Sequence, residues 1–418
     1  MRQSPRPPRR QPDALPRPRA QPVMRDLPDL GALPSLIEAH VRAHLTPPRA
    51  RTQPMAHVHA PALALLSGLF TQARVDLPPG YMNQPRFRAA YLLYFLPVCA
   101  ATVLHVLKTS GALHGLPTKP LRVLDVGAGP LTASLAAALA LPADVELEVT
   151  AIDAARHSLE DGAALLQNLR PGTKIQLIDG NLRDGRLLHK VHGKFDLILA
   201  AHVLNEWPKQ TNRPADEWLT RLLQDHLAPN GVVVLVEPAT RHGSHRLIDV
   251  REYVLAQTNL GILSPCRGTM PCPLADTTRD WCHAEQPWQR PPQVVALDEA
   301  IGHRRATLKY SHLVLKDGPV APSKPQQFRV IGGPMQTDEV FRRYLCGVDG
   351  RRVAVVDLAE ISLTWPTLAN AWRGDLAELP GQPHELRRGR NVEPAWLPLD
   401  SPLTSENRGV LARRPQRR

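Results

Sequence analysis

Four cysteines in the second half of the chain are spaced so that they could bind a metal. Cys266, Cys272 and Cys282 lie close together in a proline-containing stretch, and Cys346 follows much later. The gaps between them hold five, nine and 63 residues, which is looser than the knuckles of zinc ribbons. A larger cluster tolerates wider spacing because its irons are spread out. The spacing alone leaves an iron–sulfur cluster, zinc (with His283 as a spare ligand) and unrelated cysteines open.

The first strand of the central region ends in a glycine turn that could cradle a ligand. Asp125 and Gly127 end the strand-like LRVLDVG, and Gly129 lies between it and the helix-like TASLAAALAL. Glycines let the backbone approach a ligand, and the following helix offers free N–H groups. The third glycine of a dinucleotide-binding G-x-G-x-x-G is absent. Asp125 would repel phosphates, but it suits a ligand that carries an amino group.

Polar residues also end the next two strands. Asp153 closes LEVTAID, where a carboxylate can accept both hydroxyls of a ribose. Asp179 and Asn181 follow the third strand, in a position to meet an adenine edge. The carboxyl ends of adjacent parallel strands meet at one edge of a sheet, so these residues predict a nucleoside site. An NAD(P) site and an empty fold stay open as alternatives.

Strands alternate with helices through the centre of the chain, which predicts an α/β fold with a doubly wound parallel sheet. Apolar residues at helical spacing precede it and predict either a helical cap or a separate lobe. Short strands with glycine turns follow it and predict a β-rich appendage. The predicted boundaries are 1–29 for a disordered Pro/Arg-rich tail, 30–117 for the helical region, 118–262 for the α/β domain, 263–300 for the cysteine-rich loop, 301–375 for the appendage and 376–418 for a basic, mostly disordered tail.

The chain is strongly basic, with a net charge of +12 and a pI of about 9.9. This balance favours a polyanionic partner, RNA or DNA before an anionic membrane. A GC-rich coding sequence would also give an excess of arginine. The candidate phosphate contacts are Arg86, Arg88, Arg304, Arg305, Arg342, Arg343, Arg351 and Arg352.

One apolar stretch reaches the length of a membrane span. Residues 89–107 contain no Asp, Glu, Lys or Arg. Pro97 in its middle favours a buried helix pair, and we expect no membrane contact. Residues 1–23 lack the apolar run of a secretory signal. The cysteines therefore favour metal binding or inert thiols over disulfides, and Cys99 is expected to be a small buried residue.

The glycine turn and the carboxylates after the next two strands resemble the class I S-adenosylmethionine (SAM) methyltransferases. The chain is also similar, over roughly residues 60–360, to the Rsm22 family of small-ribosomal-subunit-associated, methyltransferase-like proteins. The cysteine stretch and HVLNEW are the specific part of this similarity. The matching stretches are AYLLYFLP (90–97), LDVGAGP (124–130), HVLNEW (202–207), EPAT (237–240), PCRGTMPCPL (265–274), DWCH (280–283) and KYSHLVL (309–315).

The resemblance implies SAM as the cofactor and gives the glycine turn a role. In the methyltransferases, the residues matching this turn cradle the amino-acid part of SAM. The residue matching Asp153 holds the ribose, and the one matching Asp179 lies beside the adenine, with Asn181 next to it. That class often has a further glycine where Leu131 stands here.

Methyl acceptors lie at the end of the fourth strand in these enzymes. Here that place holds His202, Asn205 and Glu206, which could equally be polar residues capping the next helix. The Asn/Asp-Pro-Pro-aromatic motif of amino-methylating enzymes is absent. An active rRNA methyltransferase, a non-catalytic assembly factor and a small-molecule methyltransferase with a zinc-stapled domain all stay open.

The Rsm22 resemblance also implies a metal centre and partners. In that family four cysteines are associated with a [4Fe–4S] cluster, and Cys266, Cys272, Cys282 and Cys346 match them. The implied partners are small-subunit rRNA and ribosomal proteins, with a monomer off the ribosome. The basic balance without a targeting segment favours the bacterial cytoplasm, with the mitochondrion as the alternative.

Overall fold

The computed structural model covers the central region of the chain most fully. The predicted tails, 1–29 and 376–418, lie largely outside the described residues. Those are 27–71, 80–117, 120–182, 184, 187–206, 212–268, 270–275, 277, 280–336, 340–348, 350–357, 366–378 and 395–398.

The described residues of the N-terminal region contain four α-helical segments: α1 (Leu33–His40), α2 (Met55–Thr71), α3 (Pro85–Ala90) and α4 (Leu96–Thr109). A π-helical segment, Tyr91–Phe95, joins α3 to α4 without a break. The predicted helix pair is therefore one continuous helix. Pro97 is the second residue after the π-helical segment, and a wider turn accommodates a residue that has no N–H to donate.

This continuous helix is apolar because it is part of the core. Among the described residues, Pro85–Thr109 is the one helix long and apolar enough to cross a membrane, with a mean hydropathy of 1.9. Of its most apolar window, 89% is buried inside the protein. Leu93 and Leu104 share a core with Val123 and Val234 of the sheet described next. The helical region is thus a layer of the α/β domain.

The main sheet has eight strands, and the first five in the chain are parallel to one another. The order is β3-β2-β1-β4-β5-β8-β6, with β7 paired to β8. The long apolar runs of β1, β4 and β5 are typical of strands covered on both faces. The strands are β1 (Leu121–Val126), β2 (Leu147–Asp153), β3 (Lys174–Asp179), β4 (Phe195–Ala201), β5 (Leu227–Pro238), β6 (Gly261–Ser264), β7 (Ala284–Pro287) and β8 (Thr307–Lys316).

Helices cover both faces of this sheet. They are α5 (Thr132–Ala140), α6 (Arg156–Leu169), α7 (Asn212–His226), α8 (Arg241–Gln257) and α9 (Pro292–Ile301). Alternate residues of a strand point to opposite faces. Val123 accordingly packs with the N-terminal helices and α5, whereas Leu124 packs with α7 and α8. The predicted α/β fold with a parallel-dominated sheet is confirmed.

The C-terminal part differs from the prediction in two ways. Strand β8 lies in the main sheet, antiparallel to β5, although we assigned it to the appendage. The second sheet also extends past the predicted boundary at residue 375. Its elements are β9 (Gln327–Val330), β10 (Met335–Gln336), β11 (Val340–Gly347), β12 (Gly350–Asp357), α10 (Pro366–Asn370), β13 (Leu376–Glu378) and β14 (Ala395–Pro398).

Candidate functional site

The glycine turn after β1 has a backbone that favours glycine at both positions. Gly127 has φ +62°, and a Cβ there would lie 2.5 Å from Cγ2 of Val203. Gly129 has φ +49°, and a Cβ there would meet no atom of the described residues within 4 Å. Leu131 has φ 53° and ψ 36°, the left-handed region that a side chain rarely adopts. This conformation is the reason that a glycine would suit the position of Leu131.

Asp125 lies beneath the turn and is almost completely buried, with 1% of its surface exposed. Its Oδ2 accepts hydrogen bonds from the backbone N–H of Ser134 at 2.9 Å and from the Ser134 hydroxyl at 2.7 Å. Burial raises the pKa of Asp125 to about 7, even though the bonds from Ser134 act in the opposite direction. The buried carboxylate would gain from a cationic partner.

Asp153 ties the end of β2 to the glycine turn. Its Oδ2 accepts from the backbone N–H of Gly129, and its Oδ1 accepts from that of Ala155, both at 2.8 Å. Burial raises the pKa of Asp153, while these backbone hydrogen bonds lower it. Asp179 is the register partner of Asp153 on β3. Asp179 and Asn181 are exposed at the same edge of the sheet.

A cavity lies beside this turn and brings several of the sequence-predicted residues together. It is lined by Asp125, Gly127, Gly129 and His202, among others. Sequence reasoning missed Thr132, whose hydroxyl is buried there and has no hydrogen-bond partner among the described residues. Its sequence signal is its position at the start of the helix after the turn, where polar groups meet ligands.

The continuous N-terminal helix closes one side of this cavity. Tyr91, in the π-helical segment, and Cys99, in α4, both line it. π-helical turns often occur at functional sites. Cys99 is buried, as the sequence indicates, and burial raises its pKa to about 11. Tyr91 belongs to the AYLLYFLP stretch, but nothing in its spacing gave it a place in the site.

The acceptor-side residues follow β4, and the structure separates them. His202 adopts a left-handed φ of +64° and lines the cavity. Asn205 is buried, and within the described part of the chain neither its Oδ1 nor its Nδ2 has a hydrogen-bond partner. The side chain of Glu206 lies outside the described residues. Glu237 accepts hydrogen bonds from the backbone N–H groups of Leu204 and Asn205 at 2.8 and 3.2 Å, and so holds the loop after β4. Sequence reasoning missed this role of Glu237.

The three clustered cysteines line a second cavity, between the main sheet and the second sheet. Cys266, Cys272 and Cys282 lie on its wall. Cys346, on β11, lies directly opposite Arg329 of β9, and Arg329 lines the same cavity. The structure therefore brings three of the predicted thiols to one cavity and places the strand that carries the fourth next to it, and all four are free rather than disulfide-bonded. Among the described side chains, no three His, Cys, Asp or Glu groups form a ready-made metal site.

Three of the thiols, those of Cys272, Cys282 and Cys346, lie in an environment that resists ionisation without a ligand. Burial raises the pKa of Cys272 to about 12 and raises that of Cys282 as well. Burial, followed by the charges of Cys266, Cys282 and Cys272, raises the pKa of Cys346. A bound metal reverses this balance because coordinated thiols are deprotonated.

His283, the spare ligand candidate, is engaged by the protein. Its Nδ1 lies 3.3 Å from the carbonyl oxygen of Trp281, and its Nε2 lies 3.3 Å from Oε1 of Glu285. Burial lowers the pKa of His283. Both ring nitrogens are thus engaged by neighbouring protein groups, which disfavours His283 as a metal ligand.

Three arginines that we expected to contact phosphates are buried instead: Arg88, Arg343 and Arg352. Arg88 donates to Asp161 at 2.7 Å, and Arg343 donates to the carbonyl oxygen of Gly332 at 3.1 Å. The expectation that these three arginines contact phosphates is therefore wrong, because a buried guanidinium that bonds the protein cannot reach a phosphate. Arg86 and Arg304 are exposed, whereas Arg305, Arg342 and Arg351 are half-buried.

The strand order and the edge site together define the class of this protein. A parallel 3-2-1-4-5 arrangement extended by the antiparallel β8, with the glycine turn after β1 and carboxylates after β1 and β2, is the class I SAM-methyltransferase-like fold. The chain belongs to the Rsm22 family, described as mitochondrial small ribosomal subunit Rsm22, whose family model matches residues 86–356.

Solved structures with a similar fold include several methyltransferases. The carbon methyltransferase CurJ shares 16% identity over 65% of this chain and 68% of its own, with a TM-score of 0.34. TrmN from Thermus thermophilus shares 16% over 53% of this chain and 52% of its own, with a TM-score of 0.31. An rRNA methylase from Streptococcus thermophilus shares 14% identity over 51% of this chain and 96% of its own, also with a TM-score of 0.31.

The chain spans about half the length of several such structures. At these identities and TM-scores the fold assignment depends on the strand order itself. No curated protein sequence matches the chain.

Proposed function

We propose that this chain is a SAM-binding, methyltransferase-like protein that acts on the small ribosomal subunit. The observation that carries this proposal is the cavity beside the glycine turn. It combines a buried carboxylate, Asp125, with the buried hydroxyl of Thr132, which has no partner among the described residues. A buried polar group without a partner costs free energy, so such a pair favours a polar, cationic ligand.

The residues of the cavity fit the amino-acid end of SAM. Both bonds from Ser134 go to Oδ2 of Asp125, so Oδ1 is the atom for an ammonium group. Thr132 adds a buried hydroxyl at the start of α5 that can bond a polar group of the ligand. Asp153, fixed by two backbone N–H groups, presents its remaining lone pairs to a ribose. Bound SAM would supply an activated methyl group.

On the acceptor side, the residues of this chain would position the methyl acceptor rather than carry out acid–base chemistry. His202 lines the cavity, and the buried amide of Asn205, three residues on, is unpaired within the described part of the chain. An amide can orient an acceptor by donating and accepting hydrogen bonds. Holding two reactants in line is itself a large part of catalysis by transfer enzymes.

Two versions of this function make opposite predictions. In one the protein methylates rRNA, and in the other it is an assembly factor that keeps the fold without the chemistry. The experiment incubates purified protein with immature small subunits and radiolabelled SAM. Label in the rRNA supports the enzyme. No label, despite SAM binding measured by calorimetry on the same preparation, supports the assembly factor.

We also propose that Cys266, Cys272, Cys282 and Cys346 hold a [4Fe–4S] cluster. Four thiols are the donor set of such clusters and also of structural zinc. Bound there, the metal would contribute folding free energy and join the second sheet to the main sheet. Elemental analysis after anaerobic purification decides between them. Iron with sulfide supports the cluster, and zinc without iron supports the alternative of a zinc-stapled domain.

Binding to rRNA would use exposed arginines such as Arg86 and Arg304. Each phosphate contact contributes about 0.9 to the slope of log affinity against log salt. We expect the Arg86→Ala and Arg304→Ala variants each to reduce that slope by about one, measured by filter binding to small-subunit rRNA. A small-molecule methyltransferase would give no such slope.

The site of action follows from the same proposal. The family description names the mitochondrial small subunit, which agrees with our alternative localisation rather than with the bacterial cytoplasm. Small-subunit rRNA and ribosomal proteins would be the partners, with a monomer off the ribosome. Sedimentation of the protein with small subunits, and its mass in free form, test both statements.

A further inference from the structure

The cysteine loop is held by two buried arginines that come from different parts of the fold. Arg251 lies on α8 and is 5% exposed, and Arg329 lies on β9 and is 7% exposed. Both line the same cavity as Cys266, Cys272 and Cys282. Burying a guanidinium is unfavourable unless it is paired, so two of them beside four thiols require an explanation.

Arg251 hydrogen-bonds the backbone of the loop on the C-terminal side of Cys266. Its Nη2 donates to the carbonyl oxygens of Gly268 at 2.7 Å and Met270 at 3.0 Å. Its Nη1 donates to Oε1 of Glu252. The same Oε1 accepts from the backbone N–H of Cys272 at 3.0 Å. Arg251 and Glu252 thus fix the backbone within the segment between Cys266 and Cys272 and at Cys272 itself.

Arg329 hydrogen-bonds the backbone of the loop on the N-terminal side of Cys266. Its Nε donates to the carbonyl oxygen of Pro265 at 2.6 Å, and its Nη1 donates to that of Gly374 at 2.5 Å. Arg329 is also the register partner of Cys346 across β9 and β11. Directly opposed residues of a sheet point to the same face. Arg329 therefore connects the loop cysteines to the distant fourth thiol.

We propose that Arg251 and Arg329 are positioning residues of the four-thiol site, which hold the loop in its metal-binding shape and offset the negative charge of the thiolates. This inference rests on the proposed metal centre. Four thiolates around a metal leave net negative charge in a buried place, and the two guanidiniums line that place. Residues that orient metal ligands typically change metal affinity by about 10- to 100-fold when they are replaced.

The test compares two substitutions at each arginine in the full-length protein. The variants Arg251→Gln and Arg329→Gln remove both the positive charge and the guanidinium hydrogen bonds to the loop. The variants Arg251→Lys and Arg329→Lys keep the charge but lose the paired hydrogen bonds. The matched control is Arg267→Gln, which removes one charge from the same loop at an exposed position. Circular dichroism selects variants that remain folded.

The first readout is release of the bound metal, iron or zinc, to a chelator. We expect release to be about tenfold faster or more in all four arginine variants, and unchanged in the control. The second readout, for an iron-loaded protein, is the midpoint reduction potential. Loss of a nearby positive charge disfavours an added electron, so the glutamine variants should move to a more negative potential while the lysine variants stay near wild type.

The two proposals fail in different ways. A wild-type protein that holds zinc overturns the cluster but leaves the zinc-release comparison as the test of the arginines. A wild-type protein that binds neither metal overturns both. Arginine variants that release metal no faster than Arg267→Gln overturn the positioning role alone.

Discussion

The Asp153 carboxylate accepts a hydrogen bond from the backbone N–H of Gly129 at 2.8 Å. The side chain that we expect to hold the ribose therefore also closes the turn that we expect to hold the amino acid. Both halves of the proposed SAM site depend on one carboxylate.

The first prediction concerns this double role. In Asp153→Asn the side-chain amide must place an N–H donor against one of two backbone N–H donors, at Gly129 or Ala155. We expect SAM affinity to fall at least tenfold, about 1.4 kcal/mol, and the free energy of unfolding to fall by about 1–3 kcal/mol. Calorimetry and chemical denaturation measure the two quantities. Asp144→Asn, at an exposed carboxylate, is the control, and equal behaviour of the two variants would contradict the role of Asp153.

The second prediction separates the two glycines of the turn. Gly127→Ala would place a Cβ 2.5 Å from Val203, whereas Gly129→Ala meets no atom of the described residues within 4 Å. Both substitutions put a side chain on a left-handed backbone, which costs about 1–2 kcal/mol, and Gly127→Ala adds the steric conflict. We expect the larger loss of thermal stability in Gly127→Ala, measured by calorimetric unfolding. A larger loss in Gly129→Ala would show that the turn is shaped differently.

The third prediction is a pH dependence set by Asp125. Its pKa is about 7 in the folded protein, above the value of about 3.9 for an exposed aspartate. Between these values the folded state binds more protons than the unfolded state. Stability should therefore fall as pH rises through this window, by roughly 2–4 kcal/mol, and the fall should be complete above about pH 7.

Asp125→Asn is the matched variant, since an amide does not titrate. We expect its melting temperature to lack the wild-type decline between mildly acidic and neutral pH. SAM should flatten the wild-type decline too, because an ammonium group stabilises the ionised carboxylate. Parallel pH profiles of the two proteins would exclude Asp125 as the source.

The fourth prediction concerns the amide of Asn205. Asn205→Leu removes two buried polar atoms that have no partner among the described residues and keeps a similar volume. We expect the free energy of unfolding to rise by about 1 kcal/mol, while methyl transfer to the acceptor is lost. A variant that loses stability would show that the amide is satisfied in the free protein. A stable variant with full transfer would remove Asn205 from the acceptor side.

The fifth prediction concerns the fourth thiol. Cys346→Ser should lose metal and stability together, because Cys346 is the thiol contributed by the second sheet. Cys99→Ser is the control, since Cys99 lies at the other cavity. Iron content and melting temperature are measured side by side. Retention of both in Cys346→Ser would remove Cys346 from the site.

Local patterns in the sequence carried much of the fold. Strands β1, β4 and β5 are apolar over most of their length, and strands alternate with helical patterns from β1 to β5, so their parallel arrangement was predictable. The turn after β1 was predictable because Gly127 and Gly129 mark it. The membership of β8 in the main sheet was not predictable, since an alternating strand carries no mark of the strand it will pair with.

The arginines show the same limit. Arg86 and Arg88 look alike in the sequence, yet one is exposed and the other is buried against Asp161, 73 residues away. Charge and spacing do not reveal a partner at that distance. The exposed face, and with it the candidate RNA contacts, is decided by packing.

The sequence by itself determined the residue types and the local turns: the carboxylates at the C-terminal ends of β1, β2 and β3, the glycines between β1 and α5, and the four cysteines. Only the tertiary structure decided which residues distant in the sequence come into contact. It placed Cys346 opposite Arg329, lined the cavity of the three loop cysteines with Arg251 and Arg329, and left the amide of Asn205 without a partner among the described residues. The reason is physical: strand and helix patterns are written over a few consecutive residues, whereas these contacts depend on how distant segments pack together.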